Sequence, residues 1–503
     1  MARAAAPGRS RRLLTRLMFV LAASAATDAR LNVLYILSDD MRAELGAYGA
    51  PAITPNLDRL ASQGLLFRNA YCQISVCSPS RHSFLSGRRP DRDGVWNFID
   101  ATPLNASAIP SQFRDNGYLT LGLGKTFHEN GGAWNAAKMW SPDKPYFTYT
   151  SNTCPHGGEG GGHCTLPDNE IYDWRLKNAS LEYLQYAMDQ RAATGAPFFL
   201  MTGFRDPHAP WAAPARMAAL YNESAIAVAQ HRTLGPGSPP ISWSNQLNVM
   251  LANGSSFPYG PHAPVPDWVA RDQRHAYYAA VSYVDEHVGE LLALLEAGGQ
   301  ANETIVVFHA DHGYFLGEHG EWEKKSNFDS VVRVPLIIKV PGRAAGAVVA
   351  TLVDLVDVFP TLSALAGLPP PPDAAQLDGA DLSALFDDPA RALKAEAFHQ
   401  YPACGMTAIN QTRFSCNSVP RSQFDFMGYS VRNADWRYTA WLPWDGAALR
   451  AEWDGEAVEE LYAHTGDVGG SFDDYENANE AAANPQVAAA LRARLRQFFD
   501  RAP

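Results

Sequence analysis

Short apolar runs alternate with helical repeats along most of the chain. The runs have the length of strands buried on both faces of a parallel sheet, and they cover residues 31–37, 119–123, 198–202, 304–309 and 334–340. Between them, apolar positions recur with a helical period at residues 56–63, 78–85, 274–297 and 355–366. This alternation predicts an α/β fold, in which helices cover both faces of a mostly parallel sheet.

The pattern changes near residue 390. Four consecutive prolines at 369–372 are typical of a rigid linker or surface loop. Further on, residues 429–441 alternate and are rich in Tyr and Trp, and residues 488–499 have the pattern of an amphipathic terminal helix. We therefore expect a large domain over residues 27–390 and a smaller α+β domain over residues 391–503.

The N-terminus has the features of a signal peptide over residues 1–26. Five arginines precede an apolar stretch at 17–22, and the small residues at 23–25 resemble a cleavage site. A transit peptide and an uncleaved anchor are the alternatives, although the stretch is short for a membrane span. No later stretch is long and apolar enough to predict a membrane helix. We predict a secretory route that ends outside the cell or in a lysosome.

Sequons and cysteines fit the secretory route. Six Asn-X-Ser/Thr sequons predict a glycoprotein, at Asn105, Asn178, Asn222, Asn253, Asn302 and Asn410. Cys154 and Cys164 flank a Gly-rich loop, and Cys404 and Cys416 flank another, so each pair is predicted to form a local disulfide. The spacing of the remaining Cys72 and Cys77 permits a bridge or a metal pair.

The charge balance restricts the partners. The chain carries 41 basic and 53 acidic residues, a net charge of −12, and without residues 1–26 the net charge is −17. No basic run occurs outside the N-terminus, which argues against nucleic acid as a partner. An anionic substrate must therefore be attracted by a local basic cluster.

Carboxylates follow two of the predicted strands. Asp39 and Asp40 come after the first strand, and Asp311 and His312 come after the strand at 304–309. Ligands of open α/β sheets bind outside the carboxyl ends of the strands. Three clustered carboxylates repel one another unless a cation neutralises them, so the pattern predicts a Ca²⁺ or Mg²⁺ site there.

A cysteine precedes one of the helical patterns. Pro79 favours the first turn of a helix, which places Cys77 at the helix N-terminus, where backbone N–H groups favour negative charge. Arg81 lies one turn further on the same face and could hold a nucleophile or the anion that it attacks. A buried structural cysteine is the alternative for so short a motif.

The eleven residues from Cys77 to Gly87 resemble the signature of the sulfatase family, in which the cysteine is converted to formylglycine during synthesis. Other family strings follow in order, at residues 39–40, 55–61, 124–128 and 311–313. Within the family, the strings at 84–91, 316–322, 326–329 and 427–430 are most similar to the group that acts on 2-O-sulfated iduronate. The resemblance covers roughly residues 31–465, and it implies an alkaline-phosphatase-like fold.

The resemblance also implies the chemistry of a sulfuric ester hydrolase that acts on a sulfated saccharide. Formylglycine made from Cys77 by a formylglycine-generating enzyme is the nucleophile, with Arg81 supporting it. One calcium ion is held by Asp39, Asp40, Asp311 and His312. Around the sulfate, the residues that stabilise charge or protonate the leaving oxygen are Lys125, His128, His208 and Lys324.

Other functions remain open from the sequence, among them a sulfatase that acts on another sulfated polysaccharide. A phosphonate or phosphate monoesterase of the same superfamily can carry the same modified cysteine, and a non-catalytic binder of sulfated glycans can keep the same scaffold. Two departures from the iduronate group bear on the sugar that is bound. Tyr314 replaces a Trp, and the Cys404–Cys416 loop differs in position, so both are expected at the mouth of the site.

Overall fold

The computed structural model describes residues 1–2, 30–100, 107–128, 136–148, 150, 154–155, 162–245, 248–406 and 408–500. Residues 3–26 of the predicted signal peptide and the sequon at Asn105 lie outside these ranges. Within them, no helix combines the length and the apolar character needed to cross a bilayer.

Nine strands of the described chain form the main sheet: β1 (Asn32–Ser38), β2 (Leu65–Tyr71), β3 (Leu119–Gly124), β4 (Phe147–Thr148), β5 (Phe198–Gly203), β6 (Thr304–Ala310), β7 (Arg333–Val334), β8 (Leu336–Lys339) and β9 (Ala347–Asp354). Their order is β9, β2, β7 with β8, β6, β1, β5, β3 and β4. Only β7 and β8 run against the others, so the sheet is mixed and mostly parallel. The central β1 is buried along its whole length, as its unbroken apolar sequence predicts.

Two groups of packed helices flank this sheet. One contains α1 (Pro55–Gln63), α4 (Tyr172–Thr194) and α5 (Asp267–Ala297), and the other contains α2 (Cys77–Ser86), α3 (Ile109–Asp115) and α6 (Val358–Leu365). Helix α2 positions the candidate nucleophile: it begins at Cys77 and ends at Gly87, whose φ of 68° is the left-handed conformation that glycine adopts without strain.

A second, antiparallel sheet follows in the chain. It contains β10 (Ala397–Ala403), β11 (Phe426–Arg432), β12 (Trp436–Asp445), β13 (Arg450–Ala451) and β14 (Val458–Ala463), in the order β10, β11, β12, with β13 and β14 both paired to β12. The terminal helix α7 (Pro485–Phe499) packs on β11 and β12. These elements form the expected α+β region, while the domain boundary near residue 390 stays a prediction.

The sequence patterns located the central strands, simplified two segments and missed several elements. The run at 334–340 belongs to β7 and β8, which are separated by Pro335, because proline has no N–H to continue a ladder. The alternating segment 429–441 spans two strands, β11 and β12. Strands β2, β4 and β9 of the main sheet and helices α3 and α4 were not predicted.

Both predicted disulfides are present, Cys154–Cys164 and Cys404–Cys416, while Cys72 and Cys77 are free and buried. The bridge that the spacing of Cys72 and Cys77 permits is therefore not formed.

Candidate active site

Four neighbouring parallel strands deliver the candidate residues to one edge of the sheet. Asp39 and Asp40 follow β1, Lys125 follows β3, and Asp311 follows β6, while the turn after β5 leads to His208. The carboxyl ends of these strands lie side by side, which is where open α/β sheets bind ligands.

Arg81 holds two of the buried carboxylates in place. Its Nη2 donates to Asp39 Oδ1 (3.1 Å) and its Nε donates to Asp311 Oδ2 (3.0 Å). The side chain is fully buried, and it reaches across from α2 to the ends of β1 and β6. Burial raises the pKa of Asp311, while in Asp39 the nearby Lys125, His208 and Arg81 overcome burial and hold the pKa well below its usual range.

Hydrogen bonds to Asp311 and Tyr277 hold the backbone around Asp40. Asp40 has a φ of 60°, in the left-handed region, and its N–H donates to Asp311 Oδ1 (3.1 Å). Tyr277 completes this arrangement, although no sequence pattern predicts its role. The hydroxyl of Tyr277, on α5, donates to Asp40 O (2.9 Å) and accepts from Arg42 N (3.0 Å).

His312 directs one ring nitrogen at the carboxylates and at Cys77. Its Nδ1 donates to Gly313 O (3.0 Å), so in the neutral ring Nε2 is the acceptor. This Nε2 lies 3.5 Å from both Asp40 Oδ1 and Asp311 Oδ2. One potential ligand atom from each of Asp39, Asp40, Cys77 and His312 lies within 4.8 Å of the others. Buried carboxylate oxygens with one oriented imidazole form a donor set that suits a hard divalent cation, with Asp311 beside it.

Cys77 lies at the centre of these groups. Its Sγ is 3.3 Å from His312 Nε2 and 3.4 Å from Lys324 Nζ, and its side chain is buried. Burial, reinforced by Asp39, raises the pKa of the thiol. Cys72 lies apart from these contacts, with its Sγ 3.9 Å from Val331 O.

Two lysines supply positive charge from opposite sides. Lys125 Nζ forms an ion pair with Asp39 Oδ2, and Lys324 Nζ donates to Asp40 Oδ1 (2.5 Å). Burial disfavours the charged form of Lys324, but Asp40 and its other anionic neighbours raise the pKa well above its usual value. Both ammonium groups are therefore directed at the carboxylates beside Cys77.

His128 and His208 border the cluster. The His128 ring stacks on Phe98, with ring centroids 4.4 Å apart, and His208 Nδ1 donates to Ala209 O (2.7 Å). Burial and nearby lysines lower both pKa values, that of His128 to about 3. Both shifts favour the neutral form of the imidazole ring.

Two arginines just after α2 pair with other carboxylates, and a tyrosine expected at the mouth of the site is buried. Arg88 pairs with Asp373 (2.6 Å) and Arg89 with Asp354 (2.5 Å), so neither faces the cluster. Tyr314, expected at the mouth, is buried, and its ring stacks on Tyr277 at 5.9 Å.

Comparisons with known proteins give a consistent result. The sulfatase family profile matches residues 31–368, and the profile named N-sulphoglucosamine sulphohydrolase, C-terminal, matches residues 317–438. Iduronate 2-sulfatase from Homo sapiens is 34% identical over 511 residues, covering 88% of this chain and 90% of that protein. Iduronate 2-sulfatase from Mus musculus is 33% identical over 514 residues, covering 87% and 89%.

The fold matches solved structures as well. A phosphonate monoester hydrolase from Silicibacter pomeroyi superposes with a TM-score of 0.70 at 20% identity, covering 93% of this chain and 96% of that one. At this identity the likeness concerns the fold alone. The expected alkaline-phosphatase-like fold is confirmed.

Proposed function

The chain belongs to the sulfatase family and is a sulfuric ester hydrolase, and we propose that it removes the 2-O-sulfate of iduronate in glycosaminoglycan-type chains. The observation that carries the mechanism is the position of Cys77, at the start of α2 and within 3.4 Å of both His312 Nε2 and Lys324 Nζ. The choice of sugar is supported by the two iduronate 2-sulfatases, each at least 33% identical over most of the chain.

Asp39, Asp40, Asp311 and His312 would hold one calcium ion. Their buried carboxylate oxygens meet the preference of calcium for hard donors, the acceptor Nε2 of His312 would complete the set, and the ion would offset the repulsion among the three carboxylates. A calcium ion there supplies positive charge for sulfate oxygens and lowers the pKa of a neighbouring hydroxyl. Arg81 keeps Asp39 and Asp311 oriented for this role.

Formylglycine made from Cys77 would be the nucleophile. In that form, residue 77 supplies an aldehyde hydrate with one hydroxyl to attack sulfur and a second that lets sulfate leave as the aldehyde re-forms. Lys324 lies beside the reacting atom and Lys125 beside Asp39, so both would attract sulfate and stabilise the charge that develops on its oxygens.

His128 and His208 would stabilise charge on sulfate or protonate the leaving sugar oxygen. Their pKa values are low because of burial and nearby lysines. A bound sulfate dianion or ester adds negative charge, which favours the imidazolium form and so raises both values toward those useful in catalysis.

The nucleophile can be tested directly. The mass of the peptide that contains residue 77 should be that of formylglycine when the protein is produced with a formylglycine-generating enzyme. Cys77→Ala should abolish sulfate release from both a 2-O-sulfated iduronate disaccharide and an aryl sulfate, because the group that attacks sulfur is lost. Cys72→Ala is the matched control and should keep activity, since Cys72 lies outside the cluster. Residual turnover by Cys77→Ala above a trace would refute this mechanism.

The ester class needs its own measurement. We expect kcat/KM for the sulfated disaccharide to exceed that for phosphate and phosphonate monoesters. A higher value for a phosphonate monoester would assign the site to that reaction instead. Binding of sulfated glycans without turnover, in protein shown to carry formylglycine, would indicate a non-catalytic binder.

The metal can be tested by removal. Chelation should lower both activity and the unfolding temperature, since an ion that binds only the folded state stabilises it. Calcium should restore both properties. If thorough chelation changes neither, the four residues do not hold a metal.

We further propose a secretory route with cleavage near residue 26, followed by retention in a lysosome or secretion. Of the sequons in the described ranges, those at Asn222, Asn253, Asn302 and Asn410 are exposed, which suits glycosylation.

A further inference from the structure

Phe414 is an exposed aromatic side chain on a loop closed by the Cys404–Cys416 disulfide. About half of the residue is accessible (53%), whereas both cysteines are buried. The loop between these cysteines is called the 404–416 loop below. A single exposed apolar residue is common on protein surfaces and needs no function by itself. The contacts that hold the Phe414 ring and the position of its loop nevertheless indicate a function.

The local backbone directs the ring outward. Arg413 and Phe414 pair in parallel with Ser244 and Asn245, so consecutive side chains point to opposite sides. Arg413 is fully buried and donates through Nε to Ile241 O (2.9 Å). The Phe414 ring lies across Gly405, where an added Cβ would be 2.8 Å from a ring carbon. The buried side chain of Arg413 and the glycine beneath the ring therefore fix the direction of the Phe414 side chain.

The 404–416 loop borders the site on the side of His128. Immediately after the loop, Asn417 O accepts from Phe98 N (3.1 Å). The ring of Phe98 is the one that stacks on His128. Phe98 also packs against the apolar cluster that contains Val76, the residue before the nucleophile, and both cysteines of the loop.

The same loop also borders the site on the side of Lys324. The side chain of Ser415 hydrogen-bonds Tyr401, whose charged neighbours include Lys325 and Lys324. The strand partner of Arg413, Ser244, donates its N–H to Glu321 Oε1 (2.8 Å), three residues before Lys324. Contacts of the loop thus lead to both the His128 flank and the Lys324 flank, and Phe414 is an exposed aromatic residue of this loop.

We propose that Phe414 is a saccharide-binding residue that stacks on the pyranose ring next to the sulfated sugar. This inference rests on the proposed sulfatase function, since it concerns the substrate of that site. The C–H face of a pyranose is apolar and weakly positive, which matches the negative face of an aromatic ring. The neighbouring sugar does not change during hydrolysis, so stacking stabilises the ground state and the transition state equally and acts on KM rather than kcat.

The test compares Phe414→Ala with Trp268→Ala. Trp268 is equally exposed (53%) but lies near the start of α5 and contacts Phe257, so it controls for loss of a surface aromatic. With a sulfated oligosaccharide, Phe414→Ala should raise KM about five- to tenfold with kcat within about twofold, in keeping with one aromatic contact. An aryl sulfate, which has no second sugar, should show no comparable rise in KM. Phe414→Trp should retain the oligosaccharide KM.

Two results would overturn the inference. One is an oligosaccharide KM for Phe414→Ala equal to that of Trp268→Ala. The other is an equal loss with oligosaccharide and aryl sulfate, which would mean that the substitution disturbs the sulfate site itself. Calorimetric binding of the oligosaccharide to both variants in a Cys77→Ala background gives the same comparison without turnover. Wild-type protein that carries formylglycine but hydrolyses no sulfate ester would refute the proposed function. Equal binding by the two variants refutes only the role of Phe414.

Discussion

At the scale of single residues, two adjacent lysines have different partners because of the local backbone conformation. Lys324 Nζ lies 2.5 Å from Asp40 Oδ1, whereas Lys325 Nζ lies 3.1 Å from Glu323 Oε2. Glu323 and Lys325 have φ values of 71° and 77°, in the left-handed region that non-glycine residues seldom adopt. The turn therefore directs one ammonium group at the nucleophile and the other at a neighbouring carboxylate.

This difference predicts unequal effects on catalysis. Lys324→Ala should lower kcat/KM about a hundredfold, because a charge-assisted contact that strengthens in the transition state is worth about 3 kcal/mol. Lys325→Ala should lower it by less than about threefold. Steady-state kinetics of wild type and both variants on one sulfated disaccharide measure these values of kcat/KM. If both variants lower kcat/KM by the same small factor, Lys324 has no role in the site. If Lys325→Ala has the larger effect, Lys325 is the lysine that contacts sulfate.

Residue types at strand ends were enough to predict where chemistry occurs, but not every contact. Asp39, Asp40 and Asp311 could be predicted as neighbours because parallel strands bring their carboxyl ends together. Lys125, His128, His208 and Lys324 required the family resemblance, since a lysine or histidine in a loop is usually solvated. Tyr277 escaped prediction because it lies within a long helix whose buried face contains several other tyrosines.

At the scale of elements, the ends of β3 and β5 pack with almost no space between their backbones. Lys125 N donates to Gly203 O (2.7 Å), and a Cβ added at Gly203 would lie 2.4 Å from the carbonyl carbon of Lys125. Glycine at position 203 therefore allows the chain after β3 to place Lys125 beside Asp39.

Gly203→Ala should displace Lys125 and reduce activity. The added methyl group meets backbone atoms that cannot rotate away, so we expect a loss of about 1–3 kcal/mol of stability and at least tenfold in kcat/KM. Gly260→Ala is the control, because the nearest atom to its added Cβ is 4.0 Å away. Denaturant unfolding and kinetics on both variants provide the comparison. An unchanged kcat/KM for Gly203→Ala would show that this close approach does not position Lys125.

Two strands that the sequence failed to predict, β2 and β9, lack the long apolar run of a central strand. Strand β2 carries half-buried Arg68 and Asn69, and the irregular burial of β9 breaks the apolar run expected of a central strand. β9 is an edge strand of the main sheet, and β2 lies next to it. Long uninterrupted apolar runs mark the buried centre well, while outlying strands depend on neighbours that a local pattern does not contain.

At the scale of the whole molecule, a buried charge network joins the segment that follows the second sheet to both sheets. His464 Nδ1 lies 3.0 Å from Asp467 Oδ2, and its Nε2 lies 3.2 Å from Glu476 Oε1. Glu476 Oε2 in turn accepts from the N–H of Asp329 (2.8 Å), just before β7. Three arginines complete the network, at Arg333, Arg432 and Arg437.

His464 should make stability depend on pH in a direction opposite to that of another buried histidine. Burial disfavours its charged form, but Asp329, Asp467 and Glu476 raise the pKa of His464 above its ordinary value. Its charged interactions are therefore fully present below about pH 6.5 and are lost as pH rises through the raised pKa. His399 has the reverse behaviour, because burial lowers its pKa to about 3. Its contribution is fully present above about pH 6.5 and declines as pH falls below that value.

Urea unfolding of wild type, His464→Gln and His399→Gln between about pH 5 and 9 separates the two cases. The stability lost in His464→Gln should be constant up to about pH 6.5 and shrink above it. The loss in His399→Gln should grow up to about pH 6.5 and then stay constant. Glutamine keeps a polar side chain of similar reach, so the change with pH isolates the charge. If His464→Gln costs the same stability at every pH, the imidazole in this network is neutral, and the junction depends on the arginines and carboxylates alone.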